Sequence, residues 1–222
     1  MRIVLLGAPG SGKGTVGERL EAATGLPRIS TGDLLRVAVR DGTPLGREAE
    51  GIMKAGGLVP DEVVIGIVRE RIARPDCRPG YILDGFPRTA AQAEALRRLD
   101  GGRPELAVDL DVSEETIVSR LSARRVCPAC QAVYNLRSRP PAREGVCDVC
   151  GGTLVRRPDD APEVVRERIR VYRDQTAPLR EFFKAGGSYR AVDGEGTVDA
   201  VTGRVLNAIG AARAGEGAKA RP

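Results

Sequence analysis

The run Gly7-Ala8-Pro9-Gly10-Ser11-Gly12-Lys13-Gly14-Thr15 directly follows the aliphatic stretch Ile3-Val4-Leu5-Leu6 and directly precedes a helix-forming sequence. Glycines in such a loop let consecutive backbone N–H groups turn toward one point, and the helix N-terminus adds partial positive charge there. With a lysine inside it, the pattern is a phosphate cradle, and it requires an α/β fold in which a strand feeds a helix. Lys13 is therefore the first candidate for a catalytic cation. Gly10, Ser11, Gly12, Gly14 and Thr15 are candidate phosphate contacts. Gly14 stands where the general pattern places a magnesium-binding hydroxyl, with Thr15 one residue later. The loop alone indicates nucleotide phosphate and no more; a turn that merely joins strand to helix is the bland alternative.

The rest of the chain repeats the strand-then-helix theme. Strands are expected at 2–6, 81–84, near 107–111 and at 189–192. Helices are expected at 13–24, around 31–41 and 61–73, near 89–98 and 113–124, as one long helix over 162–184, and near 197–212. Such alternation predicts a three-layer α/β/α fold with a central parallel sheet. Two segments depart from it. Residues from about 30 to 60 hold helices with no strand between them, and residues from about 123 to 160 are rich in Cys, Pro, Gly and Arg with few apolar side chains. Both are read as excursions from the sheet, and the small, basic tail after Ala212 as a frayed terminus.

Composition removes several classes. The chain has 222 residues, a net charge of +5 and no histidine. The missing histidine excludes a His-based triad, a His metal site and a histidine general base. Lys and Arg are spread along the chain, and with no Trp and three Phe the stacking platforms of single-stranded nucleic-acid binders are hard to assemble. A small polyanion accounts for the positive excess equally well. No stretch approaches the roughly 20 apolar residues of a bilayer span, and the N-terminus carries no signal-peptide pattern, so a cytoplasmic protein is expected.

Four of the five cysteines form two knuckles, Cys127-Pro128-Ala129-Cys130 and Cys147-Asp148-Val149-Cys150. That spacing is typical of a four-thiolate Zn²⁺ ribbon, with iron as a lesser alternative. Four protein ligands close the coordination shell, so the metal should be structural. A segment this small and polar cannot bury a core of its own, and a metal would replace one. Cys77, far from both knuckles, is read as a structural free thiol.

The phosphate loop, Ser30-Thr31-Gly32-Asp33-Leu34-Leu35-Arg36, Asp84-Gly85-Phe86-Pro87-Arg88 and Arg157-Pro158-Asp159-Asp160 together closely resemble the adenylate kinase family, from Met1 to about Ile209. Members of that family also carry Gly then Thr after the loop lysine. The resemblance implies a CORE of 1–29, 60–122 and 161–212, an AMP-binding segment at 30–59 and a lid at 123–160; the tail at 213–222 lies outside it and is expected to be disordered from its composition. It implies that Thr31 and Arg36 receive AMP together with the backbone of Gly57-Leu58-Val59, the turn Gly85-Phe86-Pro87-Arg88, and Gln92 at the adenine. Asp84 would hold Mg²⁺ through water. Arg124, Arg157 and Arg168 would reach the phosphates from the lid and its hinge, Arg157 and Arg168 also serving AMP, while Arg120 helps on the ATP side. Val133 and Tyr134 would cover ATP, and the backbone of Gly196 would approach its adenine. Ser30 or Thr31 could equally cap the following helix.

The implied reaction passes a phosphoryl group from Mg-ATP to AMP, giving two ADP and maintaining adenine nucleotide balance. Charge spreads over the moving group in such a transfer, so positioned cations do most of the work, and an anionic AMP oxygen needs no strong base. Arginine suits this because its planar fork makes paired contacts to phosphate oxygens. Arg69, Arg71, Arg97, Arg98, Arg166 and Arg170 are read as solvated, and Asp159 and Asp160 as ion-pair partners beside Arg157 that steer lid opening. ATP, AMP and ADP are the expected partners of a monomer, without nucleic acid or membrane. A UMP or CMP kinase shares most of these features, and a zinc-ribbon nucleic-acid-binding ATPase is the rival from another class.

Overall fold

The computed structural model describes residues 1–99, 101 and 105–219, with side chains described as far as residue 212. The elements run β1 (Arg2–Leu6), α1 (Lys13–Thr24), β2 (Arg28–Ser30), α2 (Thr31–Arg40), α3 (Pro44–Lys54), α4 (Asp61–Ile72), β3 (Tyr81–Asp84) and α5 (Ala90–Leu99). They continue with β4 (Glu105–Asp111), α6 (Glu114–Ser122), β5 (Arg124–Val126), β6 (Val133–Asn135), α7 (Pro162–Val171), α8 (Leu179–Ala185), β7 (Tyr189–Asp193) and α9 (Val198–Lys219). Five strands form a parallel sheet in the order β2-β3-β1-β4-β7. This is the α/β class expected from the alternation.

The sheet is covered on both faces because its strands are apolar on both. Side chains alternate along a strand, so Val4 and Leu6 of β1 enter one core with Leu83, Phe86, Leu96 and Phe183, while Ile3 and Leu5 enter the other with Leu20, Val108 and Val205. Chain order reverses across the central β1, whose neighbours β3 and β4 lie on opposite sides. Open α/β sheets bind ligands at the carboxyl ends of strands near such a reversal, and the loop 7–15 leaves β1 there.

Three features differ from the sequence reading. The short strand β2 was not anticipated; three residues are too few for periodicity to register. The expected helix over 162–184 is interrupted by a π-helical turn at Tyr172–Thr176, closed by Ala177 N–H donating to Tyr172 O at 2.8 Å. Pro178 follows, and its missing N–H and bulky ring are accommodated by the wider turn. The last helix continues to Lys219, past the expected end at 212 and into the segment read as a disordered tail. Its alanines favour helix strongly enough to extend it; residues 220–222 lie outside those described.

Residues 124–155 form a small separate sheet, β5 antiparallel to β6, with bridges Val126↔Val155 and Val146↔Thr153. Its buried cluster is only Cys127, Tyr134, Cys147 and Leu154, with Ala132 against it. Among the described residues no helix is long and apolar enough to cross a membrane.

Candidate active site

The loop after β1 wraps the start of α1. Gly10 and Gly12 adopt φ of 87° and 103°, in the left-handed region that side chains disfavour, which keeps the backbone close to any bound anion. Lys13 Nζ donates to Gly7 O at 2.6 Å and Ala8 O at 2.9 Å. Burial lowers its pKa to about 8, against the pull of Asp84 and with the help of the Arg88 and Arg168 charges. Ser11 is buried with an unpartnered hydroxyl oxygen. Arg120 donates to Ser11 O at 3.0 Å and to Gly194 O at 2.9 Å, tying the loop to the turn that carries Gly196.

Opposite the loop, Ser30 caps α2 by accepting from Asp33 N, so capping falls to Ser30 and leaves Thr31 free for another task. Thr31 Oγ1 donates to Gly85 O at 2.9 Å, and Arg88 Nε donates to the same oxygen at 2.9 Å. Burial, reinforced by Arg168 and Arg36, pushes the Arg88 guanidinium below its ordinary pKa. Arg36 pairs with Asp33, whose carboxyl is held at about 2: burial opposes its charge, but Arg36 and Arg28 outweigh that.

A third group of cations comes from the small sheet and its hinge. Asp160, fully buried, accepts from Arg124 Nε at 2.7 Å and lies 3.3 Å from Arg168 Nη1, which also reaches Asp159 Oδ2 at 2.9 Å. Arg157 stands outside this knot, so the expected Asp159 and Asp160 partner is replaced by Arg124 and Arg168. Arg157 is 8 % exposed, its Nε has no hydrogen-bond partner, and burial together with the Arg36 and Arg124 charges depresses its pKa. Cations that depress one another's pKa across a shared space mark a site built for a polyanion.

These groups face one cavity of about 1200 Å³. Gly10, Ser11, Gly12, Lys13, Gly14 and Thr15 line it on the loop side, with Arg120, Arg124, Val133 and Gly196. Thr31, Arg36, Gly57, Leu58, Val59 and Gln92 line it on the other, with Asp84, Gly85, Pro87, Arg88, Arg157 and Arg168. Two candidates are not among the lining residues. Phe86 is fully buried in the core beneath the sheet, because the chain alternates sides and only Gly85 and Pro87 turn outward. Tyr134 sits mid-strand in β6, so Val133 and Asn135 take the cavity face and Tyr134 the opposite one. Its hydroxyl accepts from Asp148 N at 2.8 Å and lies 3.5 Å from Cys147 Sγ.

Other residues acquire partners that no local motif announced. Arg28, on β2, bridges Asp84 and Asp33 at 3.1 Å each. Asp84 ends β3 beside the loop, 3.5 Å from where a Cβ on Gly14 would stand, so a carboxylate at the mouth of the phosphate cradle fits a magnesium site. Arg71, read as solvated, instead holds Asp76 at 2.7 Å and contacts buried Cys77, because the 3₁₀ turn Pro75–Cys77 brings that carboxylate back to α4. Arg97 packs over the Phe182 ring at 4.0 Å.

The four knuckle cysteines bring their Sγ atoms within 4.8 Å of one another, the closest pairs at 3.4 and 3.5 Å. Tetrahedral zinc–thiolate bonds place sulfurs about 3.8 Å apart, so the set fits. The knuckles close alike, Gln131 N–H donating to Cys127 O and Gly151 N–H to Cys147 O, with both residues at positive φ. A Cβ at Gly152 would stand 3.2 Å from Cys127 Sγ and 3.4 Å from Cys150 Sγ, so any side chain there would crowd the sulfurs.

The family model described as adenylate kinase matches residues 5–188. An adenylate kinase of Moorella thermoacetica is 48 % identical over 213 residues, covering 95 % of this chain and 98 % of that protein. One from Geobacter sp. strain M21 is 50 % identical over 212 residues, covering 94 % and 99 %. One from Thermodesulfovibrio yellowstonii is 50 % identical over 204 residues, covering 90 % and 95 %.

Proposed function

The chain belongs to the adenylate kinase family and catalyses reversible phosphoryl transfer from Mg-ATP to AMP, giving two ADP; from that premise we propose how its own residues divide the work. The observation that carries the assignment is the convergence on one cavity of the loop lysine and arginines from three separate parts of the chain. The backbone of Gly10 to Thr15 cradles the ATP phosphates, and Lys13 leaves its two carbonyl partners to follow the transferred group. Thr31, Arg36 and the 57–59 backbone receive AMP, Gln92 faces its base, and Arg88 clasps its phosphate. Arg124, Arg157 and Arg168 surround the moving phosphoryl group, while Arg120, Val133 and Gly196 serve the ATP nucleoside. Asp84 would hold magnesium beside the loop, which would supply positive charge to the ATP phosphates. Each contact is worth most where charge develops in a water-poor site.

Residues 30–59 and 123–160 act as mobile covers on a CORE of 1–29, 60–122 and 161–212. The four cysteines hold zinc, which organises the lid and takes no part in the transfer. Asp160 holds Arg124 and Arg168 in place between turnovers. The enzyme works as a cytoplasmic monomer on ATP, AMP and ADP, without nucleic acid or membrane, and maintains adenine nucleotide balance.

Steady-state ADP formation with AMP, UMP and CMP as rival acceptors tests this reading. AMP should be preferred strongly, and Lys13→Ala should lose at least about a hundredfold in kcat. Preference for UMP or CMP would overturn the assignment of Thr31 and Gln92.

A further inference from the structure

We infer that Asp61 is a specificity-positioning residue, locking the Gln92 carboxamide in the orientation that accepts adenine and rejects a 6-oxopurine. The inference rests on the proposed reading of Gln92 as the residue facing the base. Asp61 opens α4, immediately beyond the 57–59 backbone. Its Oδ1 accepts from Gln92 Nε2 at 2.8 Å, and its Oδ2 accepts from Thr89 Oγ1 at 2.8 Å. At the other end of the same amide, Arg88 N–H donates to Gln92 Oε1 at 2.8 Å.

A carboxylate only accepts and a backbone N–H only donates, so these two partners decide which end of the amide is nitrogen. Turning it over would set oxygen against carboxylate and NH₂ against N–H. The lock leaves one N–H and one lone pair of Gln92 unspent, and Gln92 lines the cavity although it is only 1 % exposed. Adenine offers an acceptor, N1, beside a donor, its 6-amino group, and pairs with a carboxamide in one orientation. Hypoxanthine offers N1–H beside a carbonyl oxygen and needs the opposite one. Asp61 thereby supplies the repulsive half of the selectivity, since the amide cannot turn to suit the wrong base. The same bonds tie Gln92 to the Arg88 backbone, joining base recognition to phosphate recognition.

Thr89-Ala90-Ala91-Gln92 also forms a helix cap, with Gln92 N–H donating to Thr89 Oγ1 at 3.2 Å. A purely structural role would lower stability without altering the ratio between two acceptors, which makes that ratio the decisive readout. The test is kcat/KM for AMP and for IMP in the wild type, Asp61→Ala, Asp61→Asn and Gln92→Ala, with KM for ATP as the control.

Asp61→Ala should lower the AMP-over-IMP ratio about tenfold and raise KM for AMP, with KM for ATP within about twofold of wild type. Asp61→Asn should stay within about threefold, because its amide oxygen still accepts from Gln92 and its NH₂ donates to Thr89. Should Asp61→Ala lose its cooperative melting transition, the similarly sized Asp61→Leu takes its place. An unchanged ratio in the Asp61 variant with a collapsed ratio in Gln92→Ala would overturn the role of Asp61 alone. Unchanged ratios in both would overturn the reading of Gln92 beneath it. Equal losses in Asp61→Asn and Asp61→Ala would show that charge, and not amide orientation, is what matters.

Discussion

Lys13 rests on the carbonyls of Gly7 and Ala8 at 2.6 and 2.9 Å, a posture that a bound phosphate replaces. With its pKa lowered to about 8 from the ordinary 10.5, the folded protein binds fewer protons there than the unfolded chain between those values. The cost of the buried charge is therefore complete below about pH 8, and stability rises as pH climbs from about 8 toward 10.5. A polyphosphate beside the lysine raises its pKa again. ATP binding at pH 8.5 should take up about 0.7 proton, read by calorimetry in buffers of different ionisation enthalpy, and Lys13→Met should abolish that uptake. Equal uptake in the variant would contradict the assignment. At this scale nearly every nucleotide-site residue the motifs singled out lines the cavity, and the two that do not share a cause. A motif names a stretch of chain, whereas alternation along that stretch sends Phe86 and Tyr134 away from the cavity and their neighbours toward it.

The small sheet around the four cysteines has little core of its own, so on the proposed reading it depends most on a metal held there. Two of its four buried cluster residues are cysteines, so removing zinc should unfold the lid while the parallel sheet persists. Chelation should thus give an early thermal transition that Cys147→Ser shows without chelator, alongside loss of about one zinc per chain. Because Tyr134 faces the thiolates, Tyr134→Phe should weaken zinc retention and leave KM for ATP within about twofold; a large rise in that KM would restore Tyr134 to the ATP side. At the hinge, Asp160 is fully buried between Arg124 and Arg168. Asp160→Ala should cost about 3 kcal/mol in urea unfolding, since it strands two cations, and a loss below about 1 kcal/mol would show the knot to be dispensable. The elements themselves were legible from apolar runs and caps. Those that escaped include β2, β5 and β6, each three residues long and too short to show a period, and the π turn, which answers to Pro178 and not to the apolar pattern of its helix.

Across the whole molecule, the parallel sheet brings residues far apart in sequence to the carboxyl ends of β1 and β3, and the two excursions close around them. The partnerships that shape the site were illegible for that reason: Arg28 with Asp84, Asp61 with Gln92, and Asp160 with Arg124 are each separated by 31 residues or more. No local pattern encodes them. The central claim is that this cavity passes a phosphoryl group directly between two nucleotides and does not release it to water. A single turnover of γ-labelled ATP with AMP, quenched and separated, tests that claim most directly. The label should appear as the β-phosphate of ADP in wild type, one per ATP consumed, with less than about a tenth as free phosphate. Release of most of the label as inorganic phosphate, insensitive to AMP, would contradict it and mark the chain as an ATPase.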